Sequence, residues 1–142
     1  MYFYEIVTKY QRQTGEDNPG LVKETYLVEA INPTNAEARL VEEIEAFIFG
    51  DQETERITKR NIFDLLPKKD GEYWYKSRVE LITIEEDGRE FRKAVTILVQ
   101  ANTISEALNI LKEQTSHLDC DIVGLAKSPI LEVYRATNDV ME

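Results

Sequence analysis

Apolar and polar positions alternate at the start of the chain and again near its middle, and the two stretches match. Tyr2, Tyr4 and Ile6 fall on one face of an extended segment, and Phe3, Glu5, Val7 and Lys9 on the other. Tyr73-Trp-Tyr-Lys76 repeats Tyr2-Phe-Tyr-Glu5 after 71 positions, and Thr96-Ile-Leu-Val-Gln-Ala101 repeats Thr25-Tyr-Leu-Val-Glu-Ala30 at the same offset. In each copy the second stretch returns as a strand and then bends into a Thr-x-x-Glu box, Thr34 with Glu37 and Thr103 with Glu106, which predicts a capped helix start. Ala38, Val41, Ile44 and Ile48 carry the first helical spacing up to Gly50, and the second helix runs from Ser105 to about His117. Extended segments follow at Arg56 to Leu66 and Asp121 to Tyr134, the last extended piece of each copy expected to break in two. Lys127-Ser-Pro-Ile-Leu131 matches Lys59-Arg-Asn-Ile-Phe63 after 68 positions.

The hairpin connections differ. Gln11 to Gly20 is a long polar loop, whereas Glu85-Glu-Asp-Gly88 is short, and its Asp-Gly pair predicts a primed turn. The pattern gives an α+β fold, a tandem pseudo-twofold repeat of strand-strand-helix-strand with an antiparallel sheet and one helix per repeat. The repeats span 1–66 and 73–135, with a linker at 67–72 and a tail at 136–142. A small sheet with one helix buries too little alone, so the copies are expected to share a core as one globular unit. Leu27 and Leu98 occupy the same position on the face away from the helix, which predicts that this face is partly covered too.

The 142 residues include no apolar run of the length a membrane helix needs and no secretory leader pattern after Met1, so the expected location is cytoplasmic. The single Cys120 excludes an intrachain disulfide. Net charge is −10, with an equal excess of acid on either side of Gly71. Such a surface opposes loose attachment to duplex nucleic acid or anionic lipid, while leaving room for a local basic stripe.

Catalytic chemistry is sparsely represented. His117 is the only histidine and stands three residues before Cys120; a helix-end histidine beside a small packed thiol explains the pair better than a nucleophile and its base or half of a zinc site. No phosphate-cradling glycine motif occurs, and no cofactor, metal or catalytic residue is assigned. The more informative constellation is Trp74, Lys76 and Arg78, which share the outer face of one strand. Arg92 lies on the outer face of the partner strand, and Phe3 stands at the position of Trp74 in the first copy. Aromatic planes with interleaved cations suit single-stranded nucleic acid, whose bases stack while its phosphates meet Lys and Arg. Glu80 on the same stripe counts against this use.

The aromatic-x-aromatic openings at Tyr2 and Tyr73, the Leu-Val-Glu-Ala and Leu-Val-Gln-Ala strands, the Ala-Glu-Ala and Ser-Glu-Ala helix starts, and Ser128-Pro-Ile-Leu-Glu-Val133 together resemble the family known as domain of unknown function 4494, found in Bacteroidetes bacteria and their phages. The resemblance covers nearly the whole chain and implies fold alone, with no site residues to carry over. The expectation is a non-enzymatic protein that binds single-stranded nucleic acid in a phage or mobile-element setting. Phe3 and Trp74 would stack bases, and Lys76, Arg78 and Arg92 would hold phosphates. The alternative is a protein-interaction or regulatory adaptor whose acidic helix, with Glu42, Glu43 and Glu45, meets a basic partner.

Overall fold

The computed structural model describes residues 1–12 and 21–136. In chain order these form β1 (Tyr2–Arg12), β2 (Leu21–Ala30), α1 (Pro33–Ile44), β3 (Ile48–Arg60), β4 (Asp64–Leu66), β5 (Tyr73–Ile84), β6 (Glu90–Ala101), α2 (Ile104–Gln114), β7 (Cys120–Lys127) and β8 (Ile130–Tyr134), a mixed α+β arrangement with two sheets. Two compact units result, Met1–Arg60 with the segment from Pro129, and Asn61–Ser128. Most of the expected loop at Gln11 to Gly20 and of the tail lies outside the described residues.

In the first unit β1 pairs antiparallel with β2 and β3, and β8 joins β2 in parallel, giving the order β3-β1-β2-β8. Tyr4, Ile6 and Tyr10 of β1 and Tyr26, Val28 and Ala30 of β2 close on Ala36, Leu40 and Ile44 of α1. In the second unit β5 pairs antiparallel with β6 and β7, and the short β4 joins β6 in parallel. Tyr75, Val79, Ile97, Val99 and Ala101 there meet Ala107 and Leu111 of α2. Burial is thus divided between two clusters, one under each helix. Leu27 and Leu98, on the faces turned away from the helices, are nevertheless buried at 0% and 1% exposure.

The second helix starts as its sequence predicts. Thr103 accepts a hydrogen bond from the Glu106 N–H at 3.1 Å, and the Glu106 carboxylate accepts one from the Asn102 N–H at 2.8 Å. The first starts earlier than predicted. Asn32, not Thr34, is the cap, accepting from the Asn35 N–H at 2.7 Å, while the Asn35 side chain accepts from the Ile31 N–H at 3.2 Å. Pro33 decides this, because its fixed φ suits the first helical position and its missing N–H is not needed there. Ala36, Leu40 and Ile44 therefore face the core, Ala38 is exposed, and Glu37 has no capping role.

Gly50 does not stop the helix; it lies within β3 at φ +81°. The β5–β6 turn also differs from expectation. Only Gly88 has positive φ, Gly88 N–H donates to the Glu85 carbonyl at 2.9 Å, and Glu85 N–H to the Arg89 carbonyl at 2.8 Å. Glycine is thus placed after an ordinary turn, as a bulge, and Asp87 need not adopt a left-handed backbone as a primed turn would demand.

Candidate binding surface on the second sheet

Strand alternation puts Trp74, Lys76, Arg78 and Glu80 on the face of β5 away from α2, as expected, but the four side chains meet different surroundings. Trp74 is only 5% exposed, and its indole Nε1 has no hydrogen-bond partner among the described residues. Its carbonyl accepts from both the backbone N–H and the hydroxyl of Ser128, each at 2.8 Å. A ring so enclosed offers no plane on which a base can stack, and the stacking role expected of Trp74 falls away. Periodicity tells which face a side chain is on, not whether that face meets water.

Arg92 is exposed and fully engaged. Its guanidinium reaches Glu90 at 2.6 Å, Asp121 at 2.6 Å and Glu80 at 3.3 Å, bridging β5, β6 and β7. Hydrogen bonds to Glu90, then Asp121 and Glu80, hold its pKa above the ordinary arginine value. A phosphate would have to displace three carboxylates, so the expected anchoring role of Arg92 is a poor fit. Phe3 belongs to the first unit and is half-buried, with the Arg135 guanidinium 5.8 Å from its ring centroid.

Lys76 and Arg78 remain. Both are exposed, and neither has an ion-pair partner among the described residues. They wall a groove of about 370 Å³ whose other lining residues are Ser77, Thr96, Gly124, Leu125 and Ala126. Directly across on β7, Lys76 faces Ala126 and Arg78 faces Gly124. A bulge follows the Arg78–Gly124 pair, where Val123 is the extra residue of β7. The sequence reading missed Gly124 and Ala126. Their signal is the uncharged run Ile122-Val-Gly-Leu-Ala126 on a strand that proves to be the sheet edge.

Glu42 and Glu43 in the last turn of α1, and Glu45 just after it at the start of a 3-10 turn (Glu45–Phe47), are exposed, without ion-pair partners among the described residues. No basic residue occupies the last turn. Cys120 packs half-buried against the second core and lines a groove with Thr115 and Ser116, whereas His117 is exposed and does not line that groove. Among the described residues no three His, Cys, Asp or Glu side chains gather as a metal site, and no helix is long and apolar enough to cross a membrane.

The family model described as Domain of unknown function (DUF4494) matches residues 2–136. No curated protein matches the chain.

Proposed function

From a chain that belongs to the DUF4494 family, we propose a non-enzymatic binding protein that docks a basic protein partner on the acidic end of α1. The carrying observation is that Glu42 and Glu43 in the last turn of α1, and Glu45 at its C-cap, stand exposed and without ion-pair partners among the described residues. Acids in a last turn cost stability, so the helix itself does not account for Glu42 and Glu43. A partner bringing Lys or Arg would relieve that repulsion and gain steered association.

The proposal includes a tandem repeat of strand-strand-helix-strand as the scaffold. It is supported by offsets that persist from sequence to contact. Asn32 and Thr103 cap their helices 71 positions apart. Register shifts follow Val7 in β1 and Arg78 in β5, also 71 positions apart. A lysine ammonium lies over a tyrosine ring in each unit, Lys59 over Tyr2 and Lys127 over Tyr73.

A second reading, single-stranded nucleic acid in a phage or mobile-element setting of Bacteroidetes, rests on the unpaired Lys76 and Arg78 beside their groove. Two phosphate contacts give a salt slope of only about −1.4 for a single strand, little attraction to set against a net charge of −10. A cytoplasmic location goes with both readings.

The test is an NMR titration with a lysine-rich peptide and, separately, an oligothymidylate, at low and moderate salt. Saturable, salt-sensitive shifts centred on Glu42 to Glu45, lost in the E42K/E43K/E45K variant, support the proposal. Shifts spread evenly over all acidic surface, or none, overturn it; shifts from oligothymidylate alone at Lys76 and Arg78 favour the second reading.

A further inference from the structure

The edge strands of the two sheets are guarded very differently. β3, at the edge of the first sheet, carries Thr54, Glu55, Arg56 and Thr58 around its bulge, and Glu55 is held by Lys9 at 3.2 Å and Lys23 at 3.0 Å. The corresponding positions of β7, 68 residues on, are Ile122, Val123, Gly124 and Ala126. β7 pairs with β5 alone among the described strands, and Val123 is 48% exposed. Exposed edges normally carry charge to discourage pairing with another strand. Between Asp121 and Lys127 this one carries none.

The same stretch lies beside the two unpaired cations. Gly124 and Ala126 put almost no side chain between Lys76 or Arg78 and the open edge, and a Cβ placed on Gly124 would stand 3.7 Å from that of Arg78. Long basic side chains on β5 can therefore reach over β7 toward whatever lies along it. Residues i and i+2 of a strand are about 6.8 Å apart, so Lys76 and Arg78 match a ligand with an anionic group at every second residue of an extended peptide. Consecutive phosphates of an extended single strand have a comparable spacing. A nucleic acid, however, could not complete a main-chain ladder, and the groove lining contains no aromatic ring for its bases.

We propose that β7 is a docking edge for an extended protein segment with acidic residues at alternate positions, which adds as a fifth strand and pairs its acids with Lys76 and Arg78. The backbone supplies the affinity and the two cations set the register. β7 belongs to the second unit and the acidic end of α1 to the first, and neither proposal rests on the other.

The experiment titrates the full chain by NMR and calorimetry with a synthetic peptide alternating Glu with Val or Thr. Two comparison peptides are N-methylated at every second amide, one in each register, and oligothymidylate is the competitor. The expected result is saturable binding with shifts and hydrogen-exchange protection along 120–127. One N-methyl register should abolish binding and the other spare it, and K76E/R78E should weaken it about tenfold, within what the loss of two surface ion pairs gives. The N-methyl arm uses the unaltered protein, so a folding defect in K76E/R78E does not protect the idea. Equal binding by both N-methylated peptides, no binding of the parent peptide, or tighter binding of oligothymidylate in the same groove would each overturn it.

Discussion

The ammonium of Lys127 lies 3.5 Å from the centroid of the Tyr73 ring, joining the last residue of β7 to the first of β5. Tyr75 is the residue paired with Lys127 in the ladder, so the contact runs diagonally across the sheet. Both residues are exposed, and a cation over an exposed ring contributes about 0.5–1 kcal/mol. Lys127→Met keeps most of the stem and removes the charge. Urea unfolding should show a loss of that order, and the same change in a Tyr73→Leu background should cost much less. Equal losses in both backgrounds would assign the effect to the stem rather than to the ring.

Asn32 and Thr34 both precede an apolar helical run, and only one of them caps. Asn32→Ala removes the acceptor for the Asn35 N–H and is expected to cost about 1 kcal/mol, as is Thr103→Ala in the second unit. Thr34→Ala, at an exposed position inside the first turn, should change stability by no more than a few tenths of a kcal/mol or slightly raise it. Denaturant midpoints of the three variants check this. A large loss from Thr34→Ala would return the cap to the position that the Thr-x-x-Glu spacing favours.

Much of the fold is written locally. Tyr2 to Val7 and Tyr73 to Val79 read as extended segments, and Thr103 with Glu106 marks a helix start without competition. Two caps straddling Pro33 are harder, since Thr34 with Glu37 fits the motif better than Asn32 with Asn35 and only the geometry of proline separates them. The allegiance of β4 and β8 is not local at all: a three-residue strand such as Asp64–Leu66 carries nothing to say that it joins β6. For the candidate site, alternation places Trp74, Lys76 and Arg78 on one face. Alternation does not tell that Trp74 is only 5% exposed, and the capture of Arg92 by Asp121 involves a residue 29 positions away.

Glu42 stands in the last turn of α1, and Glu42→Lys should raise stability by about 0.3–1 kcal/mol at low salt, because a cation there complements the helix dipole. Under the proposed function it should also weaken binding of a lysine-rich peptide. Opposite signs for folding and binding would be hard to explain if the acids served the fold. A variant that is both less stable and unchanged in binding would remove the argument for this surface.

Glu55 is held below its ordinary value of 4.5 by hydrogen bonds from Lys23 and then Lys9. A lowered carboxyl pKa contributes stability above the unfolded value and loses it as pH falls through the folded one. Glu55→Gln should therefore flatten the fall in stability below about pH 4.5. The alkaline side has the opposite sense. Burial, then the nearby acids Glu132 and Glu43, push Tyr134 up to about 12, so the native state keeps a proton that the unfolded chain gives up near 10. Stability should fall as pH rises through that window, and Tyr134→Phe should reduce the slope. Denaturation midpoints measured across both limbs test the two assignments.

Trp74 is the only tryptophan, so its emission reports one environment. With 5% of the residue exposed, emission should be blue-shifted, weakly quenched by iodide or acrylamide, and flat during titration with oligothymidylate at any salt. The flat trace has meaning only beside a positive signal, which the acidic alternating peptide provides if β7 accepts it, since Ser128, just beyond the end of β7, donates to the Trp74 carbonyl. A small emission change with that peptide, absent with oligothymidylate, would separate edge pairing from base stacking. Saturable quenching by oligothymidylate that weakens as salt rises would mean that the ring can be reached, and would restore Trp74 as a stacking platform.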